Sequence, residues 1–547
     1  MPLCVPARRC AKQENVLKIN KLHLIRPHKQ FLGRGPEALS KLIILIPLLS
    51  SALFANTWYV ATNGNDNNAG TAAAPFATIQ QGVNVAQPGD TVLVGDGTYG
   101  PNGHYTCGTV CSQNGYAAPV VFQNSGTSSA PITVAAQDKG KAILNCNLPT
   151  GYSGDGTDGV QACDTYFDFQ GSASYINIEN FDITATYWNG ANVNGSNNHD
   201  IQFIGNHFYN IGNRHYVVPA GGVSNGITGV YAGTSTSDIT FNGNTFNNIG
   251  RLPTSGQSET DYNHDHGIYL YNGPYTITNN IFYNQQAGWD IQISPGVHNT
   301  SILCNTFVGP NPQRDGLIEL WADSSNPNTG IDIQDNIFYN GRNYAIDSYD
   351  AVEEGALIDH NLVYGSPSGV INASVVAGSM TVSNNMTNTN PNFVNPTAND
   401  YQLQAGSPAI DAGVSVLDST DIDGNLRPES GAWDDGAYEY VSGAAAASNF
   451  SISAANSGLT VARSKSTSDQ ISTAVVSGGP DTIQFSISGV PASVKATWST
   501  TSCSAPCSSV LTLSASSSAR TGTSNATITA SSGGVTKNLP LQIRVMR

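Results

Sequence analysis

The feature that most constrains this chain is one short phrase that returns seven times between residues 198 and 385. It reads Ile201-Gln-Phe-Ile-Gly-Asn206-His-Phe208, Ile239-Thr-Phe-Asn-Gly-Asn244-Thr-Phe246, Thr276-Ile-Thr-Asn-Asn280-Ile-Phe282, Ile302-Leu-Cys-Asn305-Thr-Phe307, Ile333-Gln-Asp-Asn336-Ile-Phe338 and Ile358-Asp-His-Asn361-Leu-Val363, with a weaker Val382-Ser-Asn-Asn385. Successive asparagines lie 24 to 38 residues apart, the interval of a solenoid. Apolar residues alternate within each copy, which makes the unit a set of short strands. One such coil cannot bury its apolar side, so coils must stack and share a core. An Asn at the bend of every coil can bond to the Asn above and below it. The phrase therefore predicts stacked β-coils with an asparagine ladder. Phe181 takes the ladder position in the preceding rung, between Ile176, Ile178 and Ile183, so the ladder should begin after that rung.

The chain has 547 residues, 11% of them charged, and 23 Lys+Arg against 39 Asp+Glu. Length allows more than one core, and the acidic balance excludes a nucleic-acid binder. Residues 1 to 41 hold nine basic side chains, an apolar run follows from Leu42 to Phe54, and Ala55 closes it. A basic region, a short apolar run and a small residue describe a secretory signal over residues 1–55, too short for a membrane span. Its removal takes the formal charge from −16 to −23. The remaining chain is expected to be secreted or at the cell surface or periplasm, with no membrane span. In such a chain Cys107 with Cys111, Cys146 with Cys163, and Cys503 with Cys507 suggest disulfides, while Cys304 reads as a buried thiol.

The exported part opens with Trp58-Tyr-Val-Ala-Thr-Asn-Gly64-Asn-Asp66, then Pro75-Phe-Ala-Thr-Ile79 and Pro88-Gly-Asp90-Thr-Val-Leu-Val-Gly-Asp-Gly97-Thr-Tyr99. This reads as a strand, a polar turn, a short helix with Ile79 and Val83 on one face, and a second strand. The helix would cap the first rung. The segment resembles the entry of secreted bacterial right-handed parallel β-helix proteins of the pectate-lyase-like superfamily. Gly406-Ser-Pro-Ala-Ile-Asp411-Ala-Gly413, Asp421-Ile-Asp-Gly424-Asn-Leu-Arg427-Pro428 and Asp434-Asp-Gly-Ala-Tyr438-Glu439 are similar to the closing segment of such proteins. The resemblance implies an all-β, single-stranded right-handed parallel β-helix over residues 56–440 and an extracellular polysaccharide partner. It assigns no reaction. The Asp-rich turns at Asn63 to Asn68 and Asp418 to Asp423 are candidate Ca²⁺ loops, although Asx turns explain them more simply. After a linker at 441–448, short alternating strands over 449–547 predict a β-sandwich around Trp498, similar to immunoglobulin-like modules. A spacer role is the expectation for it.

Each ladder strand is followed by another strand: Gly229-Val-Tyr231, Gly267-Ile-Tyr269-Leu-Tyr271, Asp290-Ile-Gln292-Ile-Ser294, Leu317-Ile-Glu319-Leu-Trp321 and Ala345-Ile-Asp347-Ser-Tyr349. With the aliphatic residues inward, period 2 sends Tyr231, Tyr269, Gln292, Glu319 and Asp347 outward in one column, with Tyr271, Ser294, Trp321 and Tyr349 in the next. Insertions at Gly212 to Ser224, Gly250 to Asp265 and Gly309 to Asp315 would wall this face. They bring Arg214, His215, Arg251, His264, Asp265, Arg314 and Asp315, with His266 at a strand entry. Tyr231, Tyr269, Tyr271, Trp321, Tyr349 and Arg251 are the candidate substrate-binding residues.

Two chemistries suit such a groove. Glu319 and Asp347 on adjacent rungs, with Asp290 nearby, would supply the acid and base of a glycoside hydrolase. Alternatively, His264 or His266 would be the base of a β-eliminating lyase, with Arg314 or Arg251 neutralising a uronic carboxylate. Asp265 would then be expected to raise the histidine pKa. Between Lys141 and Lys465 the chain has no lysine, which removes the lysine base that many β-helix lyases use. The clustered aspartates and the Gly-His-Gly motif of polygalacturonase-type hydrolases are also missing. A surface or adhesive β-helix that binds carbohydrate without cleaving it is the third reading.

Overall fold

The computed structural model describes residues 55–100, 118–147, 163–212, 226–251, 264–311, 314–349, 352–372, 377–414, 419–429, 431–441, 449–477, 482–504, 506–532 and 535–547. The expected secretory segment, the Cys107 and Cys111 pair, Arg214, His215, and the Ser442 to Ser448 linker lie outside those residues, as does most of the two longer insertions.

Three parallel sheets of 11, 9 and 10 strands wind around one core. A representative turn runs Thr228–Ala232 in the nine-stranded sheet, Thr236–Asn242 in the eleven-stranded sheet and Thr245–Asn247 in the ten-stranded sheet. His266–Leu270 opens the next turn. Each strand pairs with the strand one turn on, as Val230 with Ile268, Phe241 with Ile277 and Phe246 with Phe282. This is the right-handed parallel β-helix that the sequence predicts.

The asparagine ladder forms at the bend between the eleven- and ten-stranded sheets. The Nδ2 of Asn206, Asn244, Asn280, Asn305, Asn336 and Asn361 each donates to the Oδ1 of the next asparagine at 2.8–3.1 Å, ending on Asn385. The same Oδ1 also accepts the backbone N–H of the previous ladder residue. Phe181 donates its backbone N–H to Asn206 at 3.0 Å, so the ladder starts one rung later. The residue before each Asn has φ between 49° and 66°. Gly, Asn and Asp tolerate that left-handed bend best, and Cys304 also stands there, buried and outside any disulfide. Beside the ladder, Phe208, Phe246, Phe282, Phe307 and Phe338 stack face to face inside the core with centroids 4.8–5.0 Å apart. Each buried ring contributes roughly 1.5–3 kcal/mol of hydrophobic stabilisation.

The short helix Ile79–Val85 covers the first rung through Ile79 and Val83, and Thr78 caps it by accepting from the Gln81 N–H. At the other end the chain turns back along the side of the solenoid. Phe393, Tyr401, Leu403, Ala409 and Ala437 cover the outward Ile281, Val308, Ile337 and Leu362 of the ten-stranded sheet. Polar ties complete the contact: Val414 N–H to Asp335 at 2.9 Å, Ala437 N–H to Thr306 at 3.0 Å, and Asn279 to the Thr420 carbonyl at 3.0 Å. Beyond residue 448 the strands form a four-stranded antiparallel sheet and a five-stranded, mostly antiparallel one, around a separate apolar cluster. Trp498 is only half-buried at the margin of that cluster, stacked on Phe485, so it is not the central residue expected. The Cys146–Cys163 and Cys503–Cys507 disulfides are formed as predicted. Among the described residues no helix is long and apolar enough to cross a membrane.

Candidate active site

On the nine-stranded sheet one column runs Asp168, Asn192, Tyr231, Tyr269, Gln292, Glu319, Asp347, each residue in register with the next. The last five are those read from the sequence. Asp168 and Asn192 extend the column by two rungs: Asn192 and Gln170 each donate to the Asp168 carboxylate at 2.8 Å. A signal for Asn192 was present. Gly190-Ala191-Asn192 has the pattern of Gly229-Val230-Tyr231 and Gly267-Ile268-Tyr269, and those glycines are forced. A Cβ at 190, 229 or 267 would come within 2.7, 2.5 and 2.4 Å of the next rung's carbonyl oxygen. Nothing comparable marks Asp168.

The face is aromatic at its centre. Tyr231, Tyr269 and Tyr271 are partly exposed, with centroids 5.1–6.1 Å apart and a 2.9 Å hydrogen bond between the Tyr269 and Tyr271 hydroxyls. Trp321 is also partly exposed and pairs through its backbone with Tyr349. The Tyr349 side chain lies outside the description. The neighbouring rungs are covered, which corrects the expectation of one open column: Gln292 and Glu319 are only 3% and 4% exposed, whereas Asp347 is partly exposed.

Arg314 is the centre of the covered end. Its guanidinium carbon lies 3.6 Å from the centroid of the Trp289 ring, and its charge acts on Glu319, Asp347, His264 and His266. Burial pushes the Glu319 carboxyl up to about 8, with Arg314 opposing and Asp347 adding to the rise. Desolvation also raises Asp347. His264 keeps more than a third of its surface open. Even so, the bulk around it, then Arg314, hold its pKa below the ordinary histidine value, while Asp265 opposes more weakly. Asp265 raises the His264 pKa as expected, but desolvation and Arg314 outweigh it and the net shift is downward. Asp265 is committed elsewhere, to a two-pronged bond with Arg251 (2.6 and 3.0 Å) and to the backbone N–H groups of Arg251 and Ile227.

Three further candidates are displaced from the groove. Arg251 is 1% exposed and serves that internal ion pair, so it does not reach a substrate. His266 is fully buried, and its Nδ1 accepts the Trp289 backbone N–H at 3.2 Å. The lone pair a base would use is already engaged, and desolvation holds this imidazole well toward the neutral form. Asp290 is not on the outer face. It shares its column with Gly267 and Leu317, inside the corner of the coil, where Asn311 donates to it at 3.3 Å and burial raises its pKa strongly. That leaves His264, Arg314, Glu319 and Asp347 grouped at one end of the aromatic face.

The proposed Ca²⁺ turns use their carboxylates internally. Asp66 accepts from Ala77, Thr78 N–H and Thr78 Oγ1, and Asp421 accepts from Asp423, Asn425 and Glu439. Among the described residues no three carboxylate, imidazole or thiolate groups converge on a point.

A family model described as Pel9A-like, right handed beta helix region, matches residues 58–226. That stretch is similar to a pectate-lyase-like right-handed β-helix. Pectate lyase L of Dickeya dadantii (strain 3937) is 28% identical over 141 residues, which is 26% of this chain and 29% of the relative. Pectate lyase PEL9 of Emericella nidulans is 29% identical over 107 residues, 20% of this chain and 22% of its own. The chain thus spans less than a third of the length of these curated relatives. A crystal structure of pectate lyase Pel9A aligns with 70% of this chain and 96% of its own at 19% identity, with a TM-score of 0.33. The family match contains Asp168 and Asn192 and ends before Tyr231. The cluster around Arg314 therefore lies outside it and has to be understood from its own chemistry.

Proposed function

We propose that this is an exported polysaccharide lyase that cleaves a uronic-acid-containing polymer by β-elimination in the groove over the nine-stranded sheet. One observation carries the reading: a cation set over the Trp289 ring, Arg314, acts on an exposed imidazole, His264, whose pKa its surroundings hold below the ordinary histidine value. A lyase needs both groups. The guanidinium pairs with the uronate carboxylate and stabilises the charge that develops on it. His264 removes the proton on the carbon next to that carboxylate. The electron pair of that C–H bond becomes a C=C bond, the C–O bond to the leaving sugar breaks, and the leaving oxygen takes a proton from solvent. The sugar rings to either side lie on Tyr231, Tyr269, Tyr271 and Trp321. Two curated relatives with matching segments are named pectate lyases, which favours the same class.

The hydrolase reading is weaker, because a carboxyl pair must flank the bond and Glu319 is almost wholly covered. The test is incubation with polygalacturonate, alginate, glycosaminoglycans and neutral glucans, following ultraviolet absorbance of unsaturated ends and reducing sugar in parallel. Both signals rising together on a uronic polymer support elimination. Reducing sugar without absorbance selects the hydrolase, and binding without either selects the adhesive β-helix.

A further inference from the structure

We propose that Trp289, set in place by His266, is the positioning platform that presents Arg314 edge-on to a substrate carboxylate, making the groove select carboxylated over uncharged sugar units. The proposal rests on the cleavage reading above and adds to it residues that touch no substrate. A guanidinium lying on an indole face is held by its π-surface, which leaves its terminal N–H donors in the plane around its rim. That rim matches the two oxygens of a carboxylate. A lysine ammonium has no plane to stack and no fork.

The stack is built from below. Trp289 is 5% exposed, and the buried His266 ring packs on it at 5.5 Å while accepting its backbone N–H. The turn before it is pinned, since a Cβ at Gly288 would fall 1.4 Å from the Asp265 carbonyl oxygen. Asp265 is itself held by Arg251. On the other strand connection, the Asn311 carbonyl accepts the Arg314 N–H at 3.3 Å, and its side chain donates to Asp290, the residue after Trp289, at 3.3 Å. Platform and cation are therefore anchored to the same buried corner. The two histidines divide the labour: His264 stays exposed to solvent, and His266 is part of the foundation.

The experiment uses the full chain with Trp289→Leu, Trp289→Phe, Arg314→Lys, Arg314→Ala and Trp289→Leu/Arg314→Ala. Two readouts are compared: the ratio of kcat/KM on a uronic polymer to that on its methyl ester, and the His264 titration by NMR. Trp289→Leu is expected to lower the ratio about tenfold or more, chiefly through the carboxylated substrate. It should also raise the His264 pKa, because the guanidinium leaves. Trp289→Phe should recover most of both. Arg314→Lys, which keeps the charge without the stack and leaves the corner intact, should lose the selectivity while remaining folded. Arg314→Ala should raise the His264 pKa as Trp289→Leu does, and the double variant should add nothing to it. A folded Trp289→Leu protein with unchanged ratio and unchanged His264 titration would overturn the proposal. If the wild type cleaves no polymer, the cleavage reading falls, and the platform is then judged by the His264 titration and by calorimetry with an oligouronate. Loss of oligouronate binding in Arg314→Lys supports it, and undiminished binding sinks it.

Discussion

Glu319 faces Asp347 in register across adjacent parallel strands, and of the two it is the one sealed from water. Its carboxyl is raised from 4.5 to about 8, so between those values the folded protein holds a proton that the unfolded chain has lost. Stability must then fall as pH rises through that window. Glu319→Gln removes the titration. Relative to wild type, the variant should gain about 4 kcal/mol between pH 5 and pH 9. Denaturant unfolding at both values checks this, and equal pH slopes would refute it.

The acid limb of activity should lie below pH 6.5, because His264 must be neutral to accept a proton and both desolvation and Arg314 hold its pKa down. Reducing the positive charge beside it moves the limb up. Arg314→Gln should therefore shift the acid limb of kcat/KM toward higher pH, besides lowering the rate about 10²-fold or more. An unmoved limb would remove His264 as the base.

Asn280 sits mid-ladder with five hydrogen bonds. Its Nδ2 donates to Phe241, Thr278 and Asn305, and its Oδ1 accepts from the backbone N–H and Nδ2 of Asn244. Asn280→Ala leaves the Asn244 N–H and one hydrogen of the Asn244 Nδ2 without an acceptor in a dry interior, at about 1–3 kcal/mol each. A total loss of about 3 kcal/mol or more is expected by chemical denaturation. Asn280→Asp should be at least as harmful, since it replaces three donated bonds with a buried charge.

Arg251 and Asp265 divide structure from chemistry. Arg251→Met breaks a fully enclosed pair and strands Asp265, so it should cost about 3–5 kcal/mol of stability. The protein that remains folded should keep wild-type KM, because Arg251 does not enter the groove. Calorimetry and kinetics on the folded fraction test both halves. A raised KM at full stability would return Arg251 to the substrate.

The solenoid is legible in the sequence because ladder and core obey one strict phrase: Asn336 and Phe338 in one rung foretell Asn361 and Val363 in the next. The face is legible wherever a strand is straight, as for Tyr231, Tyr269 and Asp347. It fails at the corner. Alternation assigns Asp290 to the outside because Ile291 points in, but at the bend both point in, so Asp290 joins Gly267 and Leu317 in the interior. His266 is misread for a related reason. Its neighbour Trp289, 23 residues on, closes over it, and only the stacked rungs bring the two together. Arg314 is found by its residue type and place in an insertion, whereas its partner Trp289 carries no mark in a local pattern.

The return of the chain along the flank has a mechanical meaning. A plain solenoid frays from its last coil, each rung releasing the next like a zip. Here Phe393 to Ala437 lie across four successive rungs, from Ile281 to Leu362, and Thr420 is tied to Asn279, 141 residues earlier. The strap turns four teeth of the zip into one latch. Those rungs separate together or not at all, and the groove residues Arg314, Glu319 and Asp347 belong to the latched stretch.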